Sequence, residues 1–114
     1  MTVKYNQSTS PLNQAAWILT PKANPFIVKE APYPHPSPDE VVVKNYALAI
    51  NPCDYMLQDT AFLDYISYPN IFGVDVAGEV VEVGSNVTDL AVGQRVIGFD
   101  LTWFITTRVY GADF

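Results

Sequence analysis

The chain has 114 residues, 49% hydrophobic and 16% charged, and six Lys/Arg against twelve Asp/Glu leave it at net −6. That length predicts one domain, and the composition is too apolar for a disordered chain. The negative balance disfavours nucleic acid and anionic membrane surfaces, both of which need a basic footprint on the protein.

No apolar run approaches the roughly 18 residues of a membrane span. Met1 to Ser10 is polar and does not read as a secretory signal. Cys53 is the one cysteine, so no internal disulfide is possible, which suits a reducing, cytoplasmic location. Asn86-Val87-Thr88 matches a glycosylation triplet, expected to go unused without a signal peptide.

In chain order, residues 1–11 read as a flexible leader ending at Pro11. Gln14 to Leu19 and Phe26 to Lys29 are short strand candidates. Pro32, Pro34, Pro36 and Pro38 alternate through the next stretch. That spacing excludes helix and predicts an extended, rigid connector. Glu40 to Ile50 alternates as a strand and is broken by Asn51-Pro52. Proline is tolerated in a first helical turn, so Pro52 to Gln58 reads as a short helix that Asn51 can cap. Asp59 to Asn70 is an aromatic loop carrying Phe62, Tyr65 and Tyr68. Val76 to Val83 alternates again, and Gly78 within it marks a bulge or a close backbone approach. Gly84-Ser85-Asn86 is turn chemistry, and Gln94 to Phe99 is a further strand. Five or six short strands with little helical periodicity predict a mainly β fold, a small barrel.

Three segments carry a family resemblance. They are Ala47-Leu48-Ala49-Ile50-Asn51-Pro52-Cys53-Asp54, the run from Tyr68-Pro69 through Gly73, Asp75 and Ala77-Gly78 to Val83-Gly84, and Val92-Gly93-Gln94-Arg95-Val96. In this order they resemble the front of a medium-chain dehydrogenase/reductase. The likeness is to the zinc-independent, quinone-oxidoreductase-like branch and, with Gln14-Ala15-Ala16-Trp17, to fungal trans-acting enoyl reductases. It covers about residues 12–99 and implies a GroES-like, partly open β-barrel with one or two short helices. Such a barrel is the substrate-side domain of a two-domain NADPH-dependent oxidoreductase. The resemblance places Asn51 and Pro52 on the nicotinamide side of the cofactor. It departs at Tyr55-Met56, where many fungal members have Trp-Lys.

Zinc members of the superfamily have a Cys where Asn51 stands and a His-Glu pair where Val74-Asp75 stands. Three protein ligands are needed for a catalytic zinc, and the chain holds one Cys and one His; no metal is expected. Hydride addition to a polarised quinone or enoyl system then rests on positioning and hydrogen-bond donors.

Asn51 reads both as a helix cap and as an amide aimed at nicotinamide or a substrate carbonyl. Tyr55, Phe62, Tyr65 and Tyr68 read either as the wall of a pocket for a flat substrate or as packing under a loop. Cys53 reads as a small buried thiol, Asp54 as a carboxylate at a helix N-terminus, and Asp75 and Glu79 as structural or solvent-facing carboxylates. Arg95 is expected to pair with an acidic neighbour. The catalytic group itself is not identified.

The six glycines contain no Gly-x-Gly-x-x-Gly turn, so no dinucleotide site is expected within these residues. Residues 100–114 depart from the family pattern and read as an atypical tail of a chain that lacks the Rossmann half. NADPH is the cofactor of the full-length family, and tight binding by this chain alone is not expected. The partners expected are a small-molecule substrate and either a second copy or a partner chain over the face that the Rossmann domain normally covers. A free, non-catalytic interaction module is the other class of function open to it.

Overall fold

A computed structural model describes residues 13–22, 25–71 and 73–99, and the backbone of 107–110. The expected leader and most of the expected tail lie outside the described residues. The fold is mainly β, with strands β1 (Gln14–Ile18), β2 (Ile27–Glu30), β3 (Val41–Ala47), β4 (Asn70–Ile71), β5 (Asp75–Val83), β6 (Arg95–Phe99) and β7 (Thr107–Tyr110), and helix α1 (Pro52–Thr60) between β3 and β4. The strands form two small sheets, β2-β1-β4 and β6-β5-β3-β7. Among the described residues these sheets are not joined into a closed barrel.

The core lies in the four-stranded sheet. Val41 and Val43 of β3 and Val76 and Val80 of β5 pack together, with Val87, Leu90 and Val96 against them. β-Branched residues at alternate positions suit a pleated surface buried on one side. Val42, on the other face, is also fully buried. β3 and β5 run antiparallel with register shifts between Val42 and Val43 and between Asn45 and Ala47. Gly78 pairs with Asn45 between those two shifts. A Cβ there would collide with the backbone carbonyl of Lys44, so the interior glycine does mark a close backbone approach.

The proline segment is pinned at several points. Tyr33 donates to Glu82 Oε1 at 2.7 Å, and His35 Nδ1 lies 3.5 Å from Glu82 Oε2. Gly84 N–H donates to Glu40 O and Asn86 N–H to Pro38 O, both at 2.8 Å. The Asn86 amide, the glycosylation-triplet asparagine, donates to Asp39 Oδ1 at 2.8 Å. The connector is thus fixed onto the end of β5.

Several boundaries differ from the sequence reading. The strand expected to reach Ile50 ends at Ala47, and α1 runs on to Thr60. Asn70 was expected to end the aromatic loop; with Ile71 it forms β4 because the two pair with Ile18 and Trp17 of β1. β7 lies parallel to β3, from Val41↔Thr107 to Lys44↔Tyr110.

Candidate functional site

The site is built at the start of α1. Asn51 is the N-cap residue in extended conformation, Pro52 takes the first helical position, and Asp54 sits in the first turn. Asp54 Oδ2 accepts the Asn51 N–H at 2.7 Å, and Asp54 N–H donates to the Asn51 carbonyl at 3.0 Å. A carboxylate here satisfies a backbone donor of the helix entrance and faces the positive end of the helix dipole. Asp54 is 7% exposed, and its Oδ1 is buried with no hydrogen-bond partner among the described residues.

The Asn51 side chain belongs to the capping box with Asp54 and also reaches across to β5. Its Nδ2 donates to Asp75 Oδ2 at 3.0 Å, across 24 residues of sequence. The cap reading of Asn51 therefore has a structural counterpart. Asp75, read from sequence as a structural carboxylate, is the group that orients the amide. Nδ2 carries a second N–H beyond the one given to Asp75, and that N–H is the donor left for an incoming acceptor.

Of the other residues singled out, Pro52 is exposed and Cys53 is a half-buried free thiol. Tyr55, Phe62 and Tyr65 are exposed. Tyr68 is half-buried with its hydroxyl inside. None of these four aromatic residues lines a shallow groove that lies on the larger sheet. That groove, of about 430 Å³, runs along the sheet between Tyr46 and Ala47 of β3, Ala77 and Gly78 of β5, and Arg95, Val96 and Ile97 of β6. Tyr46 was missed by the sequence reading because it was counted as one more position in a regular alternation. The register shift beside it leaves it exposed.

Arg95 stands directly across from Glu79 in the β5–β6 ladder, without closing to ion-pair distance. The short contact between opposite-charge residue types among the described residues joins His35 Nδ1 and Glu82 Oε2 at 3.5 Å, an ion pair only when the imidazole is protonated.

Among the described residues no group of three or more His, Cys, Asp or Glu could hold a metal. Around Asn51 the groups present are an amide bonded to a carboxylate and a second carboxylate turned to the helix N–H. That set lacks the thiolate and imidazole donors that zinc prefers.

Comparison with known proteins identifies the family. Residues 37–107 match the alcohol dehydrogenase GroES-like domain. The zinc-binding alcohol dehydrogenase domain-containing protein cipB of Emericella nidulans is 54% identical over 86 residues, covering 75% of this chain and 27% of that protein. The trans-enoyl reductase himH of Aspergillus japonicus is 45% identical over 107 residues, covering 92% of this chain and 30% of that protein. Among solved structures, Escherichia coli quinone oxidoreductase complexed with NADPH superposes with TM-score 0.64 at 25% identity, over 76% of this chain and 26% of that one. The chain thus spans 26–30% of the length of these three relatives. The chain belongs to the alcohol dehydrogenase GroES-like domain family, within the medium-chain dehydrogenase/reductase superfamily.

Proposed function

We propose that these residues form the substrate-side domain of a zinc-independent, NADPH-dependent oxidoreductase that reduces a quinone or an enoyl group by hydride transfer. The domain division follows: residues 12–99 are the working domain, and the Rossmann portion that grips the cofactor is supplied from outside the 114 residues. The observation that carries the reading is the Asn51–Asp75 hydrogen bond. It holds an amide in a fixed orientation at a helix entrance, where a cofactor carboxamide or a substrate carbonyl can be met.

NADPH supplies the hydride when bound. The work of this chain is positioning. Asn51 and Pro52 form the nicotinamide-side turn, and Asp75 fixes which face of the amide points outward. Tyr55, Phe62, Tyr65 and Tyr68 offer apolar surface to a flat acceptor. Positioning of this kind accounts for a large share of a hydride-transfer barrier without any metal. The acidic surface fits a small-molecule substrate in the cytoplasm, with neither nucleic acid nor membrane as partner. The exposed side chains of Ile50 and Tyr55 at the helix entrance, and of Phe62 just past its end, fit surface that another domain or chain covers.

The test is a chimera in which residues 13–99 replace the matching segment of the himH reductase. NADPH-dependent reduction of a quinone or enoyl thioester is expected, insensitive to a zinc chelator. Asn51→Ala in that chimera should lower kcat/KM by about tenfold or more, the loss of one oriented polar contact in the transition state. A folded, NADPH-binding chimera without activity would overturn the assignment. Micromolar NADPH affinity in the isolated 114-residue chain would overturn the division of labour.

A further inference from the structure

Among the described residues β6 is an edge strand. Within the four-stranded sheet β6 has one strand neighbour, β5, and among the described residues its other side bears no strand. Val80 N–H donates to Gln94 O at 2.9 Å, and Val80 O accepts from Gly93 N–H at 2.8 Å. Counting along the antiparallel ladder from that bonded pair, Gly78↔Val96 and Val76↔Gly98 exchange bonds, while Glu79↔Arg95, Ala77↔Ile97 and Asp75↔Phe99 do not. Arg95, Ile97 and Phe99 therefore turn their own N–H and C=O groups to the open edge.

The side chains at those three positions are exposed, Ile97 at 89% and Phe99 at 62%. Natural edge strands usually carry a central lysine, a proline or an inward charge against unwanted pairing. The run Arg95-Val96-Ile97-Gly98-Phe99 has none of these in its interior.

We propose that this edge pairs with the β6 edge of a second copy of the chain, antiparallel, about a two-fold axis through Ile97. In that register Ile97 meets its own counterpart, and Arg95 of each copy meets Phe99 of the other. Each bonded pair exchanges two hydrogen bonds, so the three pairs form about six. The rows of the two sheets also match in character. The apolar row Ala47·Ala77·Ile97 continues into the same row reversed. The charged row Lys44·Glu79·Arg95 runs into Phe99 and then Asp75 of the second copy. Cation meets aromatic ring and then carboxylate, and no like charges stand opposite each other. The interface is isologous and closed, so it stops at two copies.

An edge-to-edge contact of five residues is small, and the expected dissociation constant is about 1–100 µM. Sedimentation equilibrium of the 114-residue chain should show a monomer–dimer equilibrium in that range. Ile97→Lys sets two ammonium groups face to face and should weaken the dimer at least tenfold. Val92→Lys, in the preceding turn and also exposed, should leave it unchanged. A separate measurement reports register: in a Cys53→Ser background, Ile97→Cys should cross-link with a short bis-maleimide and Val92→Cys should not. A chain that stays monomeric at about 500 µM, well above the expected range, overturns the proposal. So does a dimer indifferent to Ile97→Lys, or cross-linking at Val92→Cys but not at Ile97→Cys.

Discussion

Gly78 is a position at which the fold has no room for a side chain. It sits between two register shifts, and a Cβ at this point would overlap a backbone carbonyl on β3. Backbone in the middle of a paired sheet cannot move aside without breaking ladder bonds. Gly98 is different, because a Cβ there would meet Val76 Cγ1 at 2.9 Å, and that methyl can shift by a rotamer adjustment. Gly78→Ala should therefore destabilise the chain by about 2–3 kcal/mol, the upper range for overpacking, and Gly98→Ala by about 1 kcal/mol or less. Urea midpoints of the two variants check the order; equal midpoints would mean that β3 yields at Lys44. Asn51 and Asp75 show the complementary lesson. Their separate roles were legible as a turn residue and a structural carboxylate. Their bond was not, because nothing local in sequence ties two side chains 24 positions apart.

At the scale of the element, α1 is held mainly at its start. Its entrance has an N-cap, a proline and an acidic first turn, whereas its last turn carries no basic residue. It closes on Ala61, which takes the left-handed conformation at φ 50°, ψ 42° and donates its N–H to Leu57 O. An alanine in that region is disfavoured by its Cβ, and glycine is the usual occupant. Ala61→Gly should stabilise the chain by about 0.5–1 kcal/mol, the strain relieved being partly offset by the greater freedom of glycine in the unfolded chain. A raised thermal midpoint with unchanged helix content is the expected reading, and a lowered one would show that the strain is already relieved by packing. The elements legible from sequence were those whose signals are local: β1, β2 and β6 as short strands between turn signals, β3 and β5 by alternation, and α1 by Asn51-Pro52. β4 and β7 were not, because each is defined by a distant partner. Two residues, Asn70 and Ile71, carry no periodicity of their own and become a strand by pairing with β1. β7 depends likewise on its parallel alignment with β3. The groove was illegible for a related reason, since a register shift cannot be counted from one strand alone.

For the whole molecule, the two sheets differ in what protects them. The valine cluster, Val41, Val43, Val76 and Val80, belongs entirely to β3 and β5, and β5 is paired on both sides, by β3 and by β6. β2 lies at the edge of the other sheet, and all four of its residues are exposed. Its ordering rests on the ladder to β1, from Gln14↔Glu30 to Trp17↔Ile27, and on Lys29 lying 5.1 Å over the Trp17 ring. Exposed cation–π contacts contribute only about 0.5–1 kcal/mol. Local opening free energies follow buried apolar contact and the solvent exposure of backbone bonds. Amides of β2 should therefore exchange through local opening, with protection far below the global unfolding limit, while Val43 of β3 and Val80 of β5 should exchange only on global unfolding. Native-state hydrogen exchange across a low urea series separates the two cases, because local openings are insensitive to urea and global ones are not. Lys29→Ala should lower β2 protection further and leave β5 unchanged. If β2 and β5 instead converge on one urea-dependent limit, the sheets unfold as a single unit, and burial outside the valine cluster, such as that of Ile18 and Leu57, would have to couple them.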